Sequence, residues 1–437
     1  MGKVTGETRK TSICIVRHTM NLGAYNLIQL LFGRFAMPLD SEAKSILTWL
    51  ETQRDAMVTQ LADWAAINTG THNLAGLRQL AELVQARFTP IADQIAYLPV
   101  APQTVITSRG DMQELPLAGA IVGRRREQAS RQAILSIHMD TVYPADSPFQ
   151  TLKLDENVLH GPGVADAKGG LVVMLYALQA FERYVEATGN HQLGWTVLLN
   201  SDEEIGSLGS RELFAQYGTA ADFGLLFEPC LPSGHLIGNR KGSGNFEIVV
   251  RGQAAHAGRE FYKGRNAIVA AAKVARQLHE LNDRWPDTTV NVAKIDGGGP
   301  NNVVPDLAVV RFNIRYPSLE QESELSHDLE RIVEDVDEGI VMALHGGFFA
   351  PPKPLDDPYL HLLKTVQTCG ESLGLDLAWE STGGVCDGNR LAALGVPNVD
   401  TMGVQGGNIH SPQEYMLIDS LIPRAQLAFL TLVSQAV

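Results

Sequence analysis

Three short apolar segments, each followed closely by an acidic residue or a histidine, constrain the fold of this chain more than any other sequence feature. The segments span residues 133–137, 195–199 and 222–227, and helical spacing of apolar residues marks 168–184 and 211–217 between them. Alternating strands and helices with continuously apolar strands are typical of a parallel sheet covered on both faces. We therefore predict an α/β fold with a mostly parallel sheet and helices on both faces.

The pattern changes near residue 238, and a length of 437 residues favours more than one domain. Alternating strands and amphipathic helices in residues 239–349 predict an inserted α+β domain. The α/β pattern then resumes, so we assign residues 37–238 and 350–437 to one α/β domain. Residues 1–36 are assigned to an N-terminal extension outside the fold, for which disorder is one expectation.

Composition excludes several classes of protein. The chain carries 35 Lys+Arg against 49 Asp+Glu, a formal net charge of −14, which argues against nucleic-acid and anionic-membrane partners. No apolar run approaches the roughly 18 residues that a membrane-spanning helix needs. The 4 cysteines are scattered, and the N-terminus makes a poor signal peptide. We expect a cytoplasmic location, with the periplasm as the alternative.

Several side chains that can bind a metal ion lie close to one another in the predicted fold. Most of them follow the carboxyl ends of three predicted strands, where open α/β sheets bind ligands. Taken singly, each has an ordinary structural interpretation, such as a helix cap for Asp166. Together they form a mixed nitrogen and oxygen donor set without thiolate, which suits zinc best, with cobalt or manganese as alternatives. The candidates after the strands are His138, Asp140, Glu203, Glu204 and Glu228; Asp166 lies in a glycine-rich turn just before a helix, and His410 lies in a loop.

Five motifs contain these candidates. They are, in chain order, His138-Met-Asp140-Thr-Val-Tyr, Gly161-Pro-Gly-Val-Ala-Asp166-Ala-Lys-Gly-Gly, Ser201-Asp-Glu203-Glu204-Ile-Gly-Ser, Phe227-Glu228-Pro and His410-Ser. In this order the motifs resemble those of the co-catalytic zinc hydrolases. That family includes glutamate carboxypeptidase, acetylornithine deacetylase, succinyl-diaminopimelate desuccinylase and aminoacylase, and the glutamate carboxypeptidase branch is the most similar. The resemblance covers about residues 41–435.

The resemblance implies two divalent metal ions, most often zinc, and a role for each residue. His138 and Glu228 are expected to hold one ion, and Glu204 and His410 the other. Asp166 is expected to bridge both ions. Asp140 is expected to orient His138. Glu203 is expected to act as general base toward a water shared by the two metals.

By the same resemblance, the inserted domain of residues 239–349 is expected to act as a lid and dimerisation domain, and residues 37–238 and 350–437 are expected to form the catalytic domain. The segment Gly252-Gln-Ala-Ala-His256-Ala-Gly258 is similar to a lid motif whose histidine stabilises the oxyanion, typically across a homodimer. By the same resemblance, Asn302 and Arg315 are expected to bind substrate, and Arg315 is expected to bind the carboxylate group of the substrate. The loop with Gly383 and Gly384 matches a substrate-loop position.

The implied activity is hydrolysis of an amide bond in an N-acyl amino acid or small peptide with a free carboxylate. Relatives in the glutamate carboxypeptidase branch carry an Arg-Gly pair where this chain has Leu344-His-Gly-Gly-Phe348-Phe349. A guanidinium for a second carboxylate is missing there, and two aromatic residues stand nearby. We therefore expect an apolar or aromatic substrate group to be accepted.

Other functions are less well supported by the sequence. A catalytically silent binding or scaffold protein is the main alternative, although every expected ligand and the base are present. The segment Gly370-Glu-Ser372-Leu-Gly374 fits the serine-hydrolase pattern but follows a predicted helix instead of a strand. Cys386 has no paired histidine in sequence. No dinucleotide-binding glycine motif opens a helix after a strand.

Overall fold

The computed structural model describes residues 39–436, so the prediction for residues 1–36 lies outside the described part of the chain. Its helices are numbered here in chain order. They are α1 (Ser41–Glu51), α2 (Arg54–Ala65), α3 (Leu74–Phe88), α4 (Lys168–Thr188), α5 (Arg211–Gly218), α6 (Ala267–Arg284), α7 (Leu319–Glu334), α8 (Asp357–Ser372), α9 (Asp387–Ala393) and α10 (Leu421–Gln435).

The strands are numbered in the same way. They are β1 (Gln94–Leu98), β2 (Gln103–Ile106), β3 (Met112–Leu115), β4 (Ala120–Arg125), β5 (Arg131–Ser136), β6 (Lys153–Asp155), β7 (Val158–His160), β8 (Leu193–Leu199), β9 (Phe223–Leu226), β10 (Leu236–Arg240), β11 (Gly242–Arg251), β12 (Ala255–His256), β13 (Thr289–Gly297), β14 (Val303–Val304), β15 (Leu307–Tyr316), β16 (Val341–Ala350), β17 (Trp379–Thr382), β18 (Asn398–Val399), β19 (Gly406–Gly407) and β20 (Tyr415–Leu417).

The largest sheet has six strands in the order β1-β4-β8-β5-β9-β18. Strand β5 pairs in parallel with both β8 and β9, and β18 pairs in parallel with β9. At the other edge, β1 and β4 run antiparallel. The carboxyl ends of β5, β8 and β9 therefore lie along one edge of the sheet, and the predicted α/β class is confirmed.

Both faces of this sheet are covered by helices because its central strands are apolar on both sides. Helix α4 is buried along nearly its whole length and packs against the sheet, α1, α2 and α10. On the opposite face, Phe214 of α5 and Leu391 of α9 pack against Ile134 and Leu198 of the sheet. This two-sided burial holds the strand ends, and the loops that follow them, in fixed positions.

A second sheet has four antiparallel strands in the order β13-β15-β11-β16. Helices α6 and α7 pack on one face of it, and their apolar residues form a hydrophobic cluster of their own with the strands. Each of these helices begins after an N-cap residue, Asn266 for α6 and Ser318 for α7. The side chain of each accepts a hydrogen bond from a main-chain nitrogen in the first turn. All of these elements lie within residues 242–350.

The chain enters and leaves this second sheet at one point. Arg240, which precedes β11, and Lys353, which follows β16, bond to each other through their main chains at 3.1 and 3.0 Å. Both side chains also contact the carboxylate of Asp400, Arg240 Nε at 2.7 Å and Lys353 Nζ at 2.7 Å. Asp400 is fully buried, so this ion triad lies inside the protein.

Helix boundaries in the structure differ in two places from those that the spacing of apolar residues predicts. That spacing predicts one helix over 41–66, but the structure has two, because the chain turns at Thr52 and Gln53 between α1 and α2. It also predicts a helix over 319–340, but this helix ends at Glu334, and the residues before β16 turn through Gly339 at φ +77°. Strand β16 itself was not predicted, because its apolar residues do not alternate regularly.

Candidate metal centre

The side chains that follow three parallel strands meet at the carboxyl edge of the main sheet. His138 follows β5, Glu203 and Glu204 follow β8, and Glu228 follows β9. The Nε2 atom of His138 lies 3.7 Å from Oε2 of Glu228. The topology alone thus brings together residues that are up to 90 positions apart, as the strand-end argument predicts.

Asp166 lies at the middle of this cluster. Its Oδ1 is 3.0 Å from Nε2 of His138, and its Oδ2 is 3.1 Å from Nε2 of His410. The same His410 nitrogen is 3.2 Å from Oε2 of Glu204. Ligand atoms of His138, Asp166 and Glu204 all lie within 4.8 Å of one another. One carboxylate thus contacts two imidazoles through different oxygens, as a bridging ligand would.

The histidine ring nitrogens have distinct partners. His138 Nδ1 lies 2.9 Å from the main-chain carbonyl oxygen of Asp140 and 3.4 Å from its carboxylate. Because a carbonyl only accepts hydrogen bonds, Nδ1 carries the proton in this contact. Nε2 of a neutral His138 then presents its lone pair to the cluster, which is the form that binds a metal.

The carboxylate of Asp140 supports the neighbouring loops. It accepts hydrogen bonds from Thr71 Oγ1 at 2.8 Å and from the main-chain nitrogens of Glu203 and Glu204 at 3.2 and 3.3 Å. Asp140 is fully buried. Asp140 is predicted to orient His138. In the structure its carboxylate also holds the loop after β8, through the main-chain nitrogens of Glu203 and Glu204.

Burial makes this acidic cluster costly without a cation. It raises the pKa of Glu204 to about 7 and raises the pKa of Glu203 well above its usual value. Hydrogen bonds to Asp166 and Glu204 raise the pKa of His410 to about 10. Among the described residues, Glu204 Oε1 is buried without a hydrogen-bond donor. An acidic donor set with a free buried oxygen fits divalent metal ions, which compete with protons for such a site.

Two adjoining cavities open onto the cluster and share the side chains of Glu203, Arg315 and His410. The larger, of about 420 Å³, extends past Glu228 and is partly apolar. The smaller, of about 160 Å³, extends past Glu204. Apolar residues of the larger cavity are Pro229, Leu231, Pro232, Ile237, Val385 and Ile409.

Arg315 is placed to bind an anion in these cavities. Its Nε donates to Oδ1 of Asn313 at 3.0 Å, whereas its Nη1 is buried without a hydrogen-bond partner among the described residues. Burial lowers the pKa of this guanidinium, although the charge of Glu203 opposes the shift. A buried donor without a partner is costly, so this nitrogen favours a ligand oxygen.

The other candidate substrate residues lie in different places. Gly384 lines the larger cavity, and its carbonyl accepts a hydrogen bond from Arg240 Nη1 at 3.2 Å. Gly383 lines neither cavity. His256 lies on the small ribbon formed by β12 and β14, and Asn302 immediately precedes β14. Both are exposed, and they too are outside the lining of the two cavities.

The aromatic segment on β16 divides between two environments. Phe348 packs against Phe246 and Tyr316, with ring centroids 5.0 and 4.9 Å apart. Phe349 instead lines the smaller cavity, with its ring against Gly206. Of the two aromatic residues noted in the sequence, only Phe349 lines either of these cavities.

Charged residues at the site that were not identified from the sequence include Asp387, Arg390 and Glu414. Asp387 and Arg390 of α9 line the smaller cavity. Glu414 is fully buried and accepts hydrogen bonds from the loop that carries Asp166. The sequence offered one hint for Glu414, namely that it lies four residues after His410. This hint is weak, because an acidic residue at such a spacing is common without any functional role.

Comparison with known proteins agrees with this geometry. The model for Peptidase family M20/M25/M40 matches residues 134–434, which is more than half of the chain. The chain is 27% identical over 391 residues to carboxypeptidase G2 of Pseudomonas sp. (strain RS-16), covering 85% of this chain and 87% of that protein. It is 30% identical over 294 residues to succinyl-diaminopimelate desuccinylase of Acinetobacter baylyi, covering 62% of this chain and 74% of that protein.

A solved structure shows the same fold. The Bacillus subtilis YXEP protein, described as a dinuclear metal binding peptidase from the M20 family, superposes with a TM-score of 0.59 at 15% identity. The alignment covers 88% of this chain and 99% of that chain.

Fold, site and sequence together define a metal-dependent hydrolase of amide bonds. The chain belongs to peptidase family M20/M25/M40. Within the described part of the chain, no helix has the length and hydropathy needed to cross a membrane.

Proposed function

We propose that the protein hydrolyses the amide bond of an N-acyl amino acid or small peptide with a free carboxylate, at a centre of two divalent metals. The observation that carries this proposal is the position of Asp166, whose two carboxylate oxygens lie 3.0 and 3.1 Å from two different imidazoles. A single-ion site has no need of a carboxylate that contacts a separate imidazole with each oxygen.

The ligand assignment follows from the contacts around Asp166. His138 and Glu228, 3.7 Å apart, are proposed to hold one ion. Glu204 and His410, 3.2 Å apart, are proposed to hold the other, and Asp166 would bind both. Zinc is the preferred ion for this donor set, with cobalt or manganese as alternatives. Bound metals would supply Lewis acidity, which polarises the substrate carbonyl and acidifies the attacking water.

Glu203 is the proposed general base. Its side chain lines both cavities, so its carboxylate can contact the attacking water and the leaving nitrogen of one bound substrate. Burial raises the pKa of Glu203 well above its usual value, which makes its carboxylate a better proton acceptor. Glu203 takes the proton that the water loses and delivers it to the amine nitrogen as the C–N bond breaks.

Arg315 is the proposed partner of the substrate carboxylate. Its Nη1, which has no hydrogen-bond partner among the described residues, and its position on the wall shared by the two cavities support the binding of a substrate anion beside the reacting carbonyl. The larger cavity, with its apolar lining, is proposed to accept an apolar group. Gly383, Gly384 and Asn302 are proposed to contact substrate in the closed enzyme.

The inserted domain is proposed to act as a lid and to form a homodimer. Residues 239–349 are proposed as this domain, and 37–238 with 350–437 as the catalytic domain. His256 is exposed and lies outside the lining of both cavities in its own chain, which supports a role completed by a second subunit. Sedimentation equilibrium measures the oligomeric state, and a strictly monomeric active enzyme would refute the dimer.

A hydrolysis screen tests the proposed function. N-acyl amino acids and dipeptides are incubated with the protein and zinc, cobalt or manganese, and the released amine is measured. We expect turnover that a chelator abolishes. Glu203→Ala is expected to retain bound metal and to lose a factor of about 10²–10⁴ in kcat. Turnover by Glu203→Ala at the wild-type rate would remove Glu203 as the base, and metal-loaded protein inactive on every substrate would favour the scaffold alternative.

A further inference from the structure

We propose that Glu414 is a positioning residue that sets the spacing between the two metal-binding halves of the centre, an inference that rests on the proposed function. Glu414 touches neither cavity and has no exposed surface. It lies four residues after His410 and just before β20. Its side chain turns inward, to the loop that carries Asp166.

The carboxylate of Glu414 is surrounded by hydrogen-bond donors. Its Oε1 accepts from the main-chain nitrogens of Ala165 at 2.9 Å and Asp166 at 3.0 Å. Its Oε2 accepts from the main-chain nitrogen of Gly163 at 3.1 Å and from Tyr143 Oη at 2.8 Å. Four donors match the four lone-pair positions of a carboxylate, so the group is fully paired although it is buried.

These bonds join three separate segments of the site. The nitrogens belong to the loop that ends in Asp166. Tyr143 follows the segment of His138 and Asp140, and its hydroxyl also contacts the main-chain oxygen of Ser411 at 2.9 Å. Glu414 and Ser411 belong to the loop of His410. The carboxylate thus links the proposed bridging ligand to the loops of both proposed histidine ligands.

Only a carboxylate satisfies all four donors. A glutamine at this position would present an amide NH₂ to one pair of them. At the pair formed by Ala165 and Asp166, two main-chain N–H groups would face a third donor. At the other pair, the Tyr143 hydroxyl can rotate to accept, but the N–H of Gly163 loses its acceptor. Glu414→Gln therefore leaves at least one buried donor unpaired and displaces the loop that ends in Asp166.

If Glu414 had a purely structural role, its replacement would lower stability without a specific loss of metal affinity. Glu182 provides the matched control, because it is also a buried glutamate held by several donors. Its carboxylate accepts from Trp195 Nε1 at 2.7 Å and from Arg126 Nη1 at 2.6 Å, and it has no contact with the proposed ligands. Glu182→Gln is expected to lower the midpoint of thermal unfolding without changing metal affinity.

The experiment measures zinc binding to the full chain by competition with a chromophoric chelator, beside the unfolding midpoint of each metal-free protein. We expect Glu414→Gln to bind zinc about 10–100-fold more weakly than wild type, and Glu182→Gln to bind it with wild-type affinity. Tyr143→Phe, which removes one of the four donors, is expected to weaken binding about 2–10-fold. It serves as the test if Glu414→Gln does not fold.

Two outcomes would overturn the proposal. One is wild-type zinc affinity in folded Glu414→Gln or, failing that variant, in Tyr143→Phe. The other is an equal loss of zinc affinity in Glu414→Gln and Glu182→Gln. Failure of the proposed function has a different signature, because wild-type protein would then bind no zinc at all.

Discussion

Removing the guanidinium of Arg315 tests where the substrate carboxylate binds. Arg315→Met keeps most of the length of the side chain and removes all of its donors. The lost interaction is a charge-assisted one made in a partly buried cavity by a nitrogen that has no other partner among the described residues. Loss of one partner from a buried charge pair costs about 2–5 kcal/mol, and each 1.4 kcal/mol is a factor of ten. We expect kcat/KM to fall by about 30–4000-fold.

The assay compares each substrate with its carboxamide analogue in wild type and variant. If Arg315 binds the carboxylate, wild type should discriminate strongly against the carboxamide and Arg315→Met should discriminate little, because the two losses are the same interaction. Arg311→Met is the control on the same strand. Arg311 pairs with Asp296 and donates to the carbonyl of Ile106 at 2.7 Å, away from the cavities. Equal discrimination by wild type and Arg315→Met would refute the reasoning.

Two further predictions concern specificity and stability. Because Phe349 lines the smaller cavity and the Arg-Gly pair is absent, N-acyl aromatic and aliphatic amino acids should be hydrolysed with kcat/KM values at least equal to those of glutamyl substrates; a strong glutamyl preference would count against this. Asp400→Asn should lower the free energy of unfolding by about 3–5 kcal/mol in urea denaturation, because two buried cations lose their shared carboxylate. Although burial opposes it, the charges of Arg240 and Lys353 hold the pKa of Asp400 well below its usual value. The contribution of Asp400 is therefore present above the unfolded pKa of about 3.9 and is lost as the pH falls below it; a loss in Asp400→Asn of under about 1 kcal/mol would contradict this account.

The parallel strands β5, β8 and β9 of the main sheet were predictable from two features of their sequences. Each strand contains a continuously apolar segment, and each is followed closely by polar residues. The segment 133–137 is an example: the strand ends at Ser136 and His138 follows at the edge of the sheet. The parallel direction of β5, β8 and β9 then places the residues beyond them together, without any knowledge of tertiary contacts. This is why the proximity of His138, Glu204 and Glu228 could be anticipated.

Other parts of the site depend on contacts that leave no local pattern. Glu414 is functional in our proposal only because a loop some 250 positions earlier presents its nitrogens to it, as the Asp166 to Glu414 bond shows. Arg390 lines the smaller cavity because α9 lies beside the loop after β8, as the hydrogen bond from Ser207 Oγ to Oδ1 of Asp387 shows. The sequence of α9 does not disclose this neighbour. The antiparallel strands β1 and β4 were missed for a similar reason, since their short segments gain regularity only by pairing with the main sheet.

The clamp of Arg240 and Lys353 on Asp400 has a mechanical consequence. A sheet attached through two separated connections can shear, because each connection can shift independently of the other. Here the incoming and outgoing chains bond to each other and to one buried carboxylate, so the two connections cannot shift independently. We therefore expect any motion of the four-stranded sheet relative to the main sheet to be a rotation about this point. Arg315, which lies at the far end of β15 from Leu307, would move along an arc whose centre is next to the larger cavity, to which Arg240 also belongs.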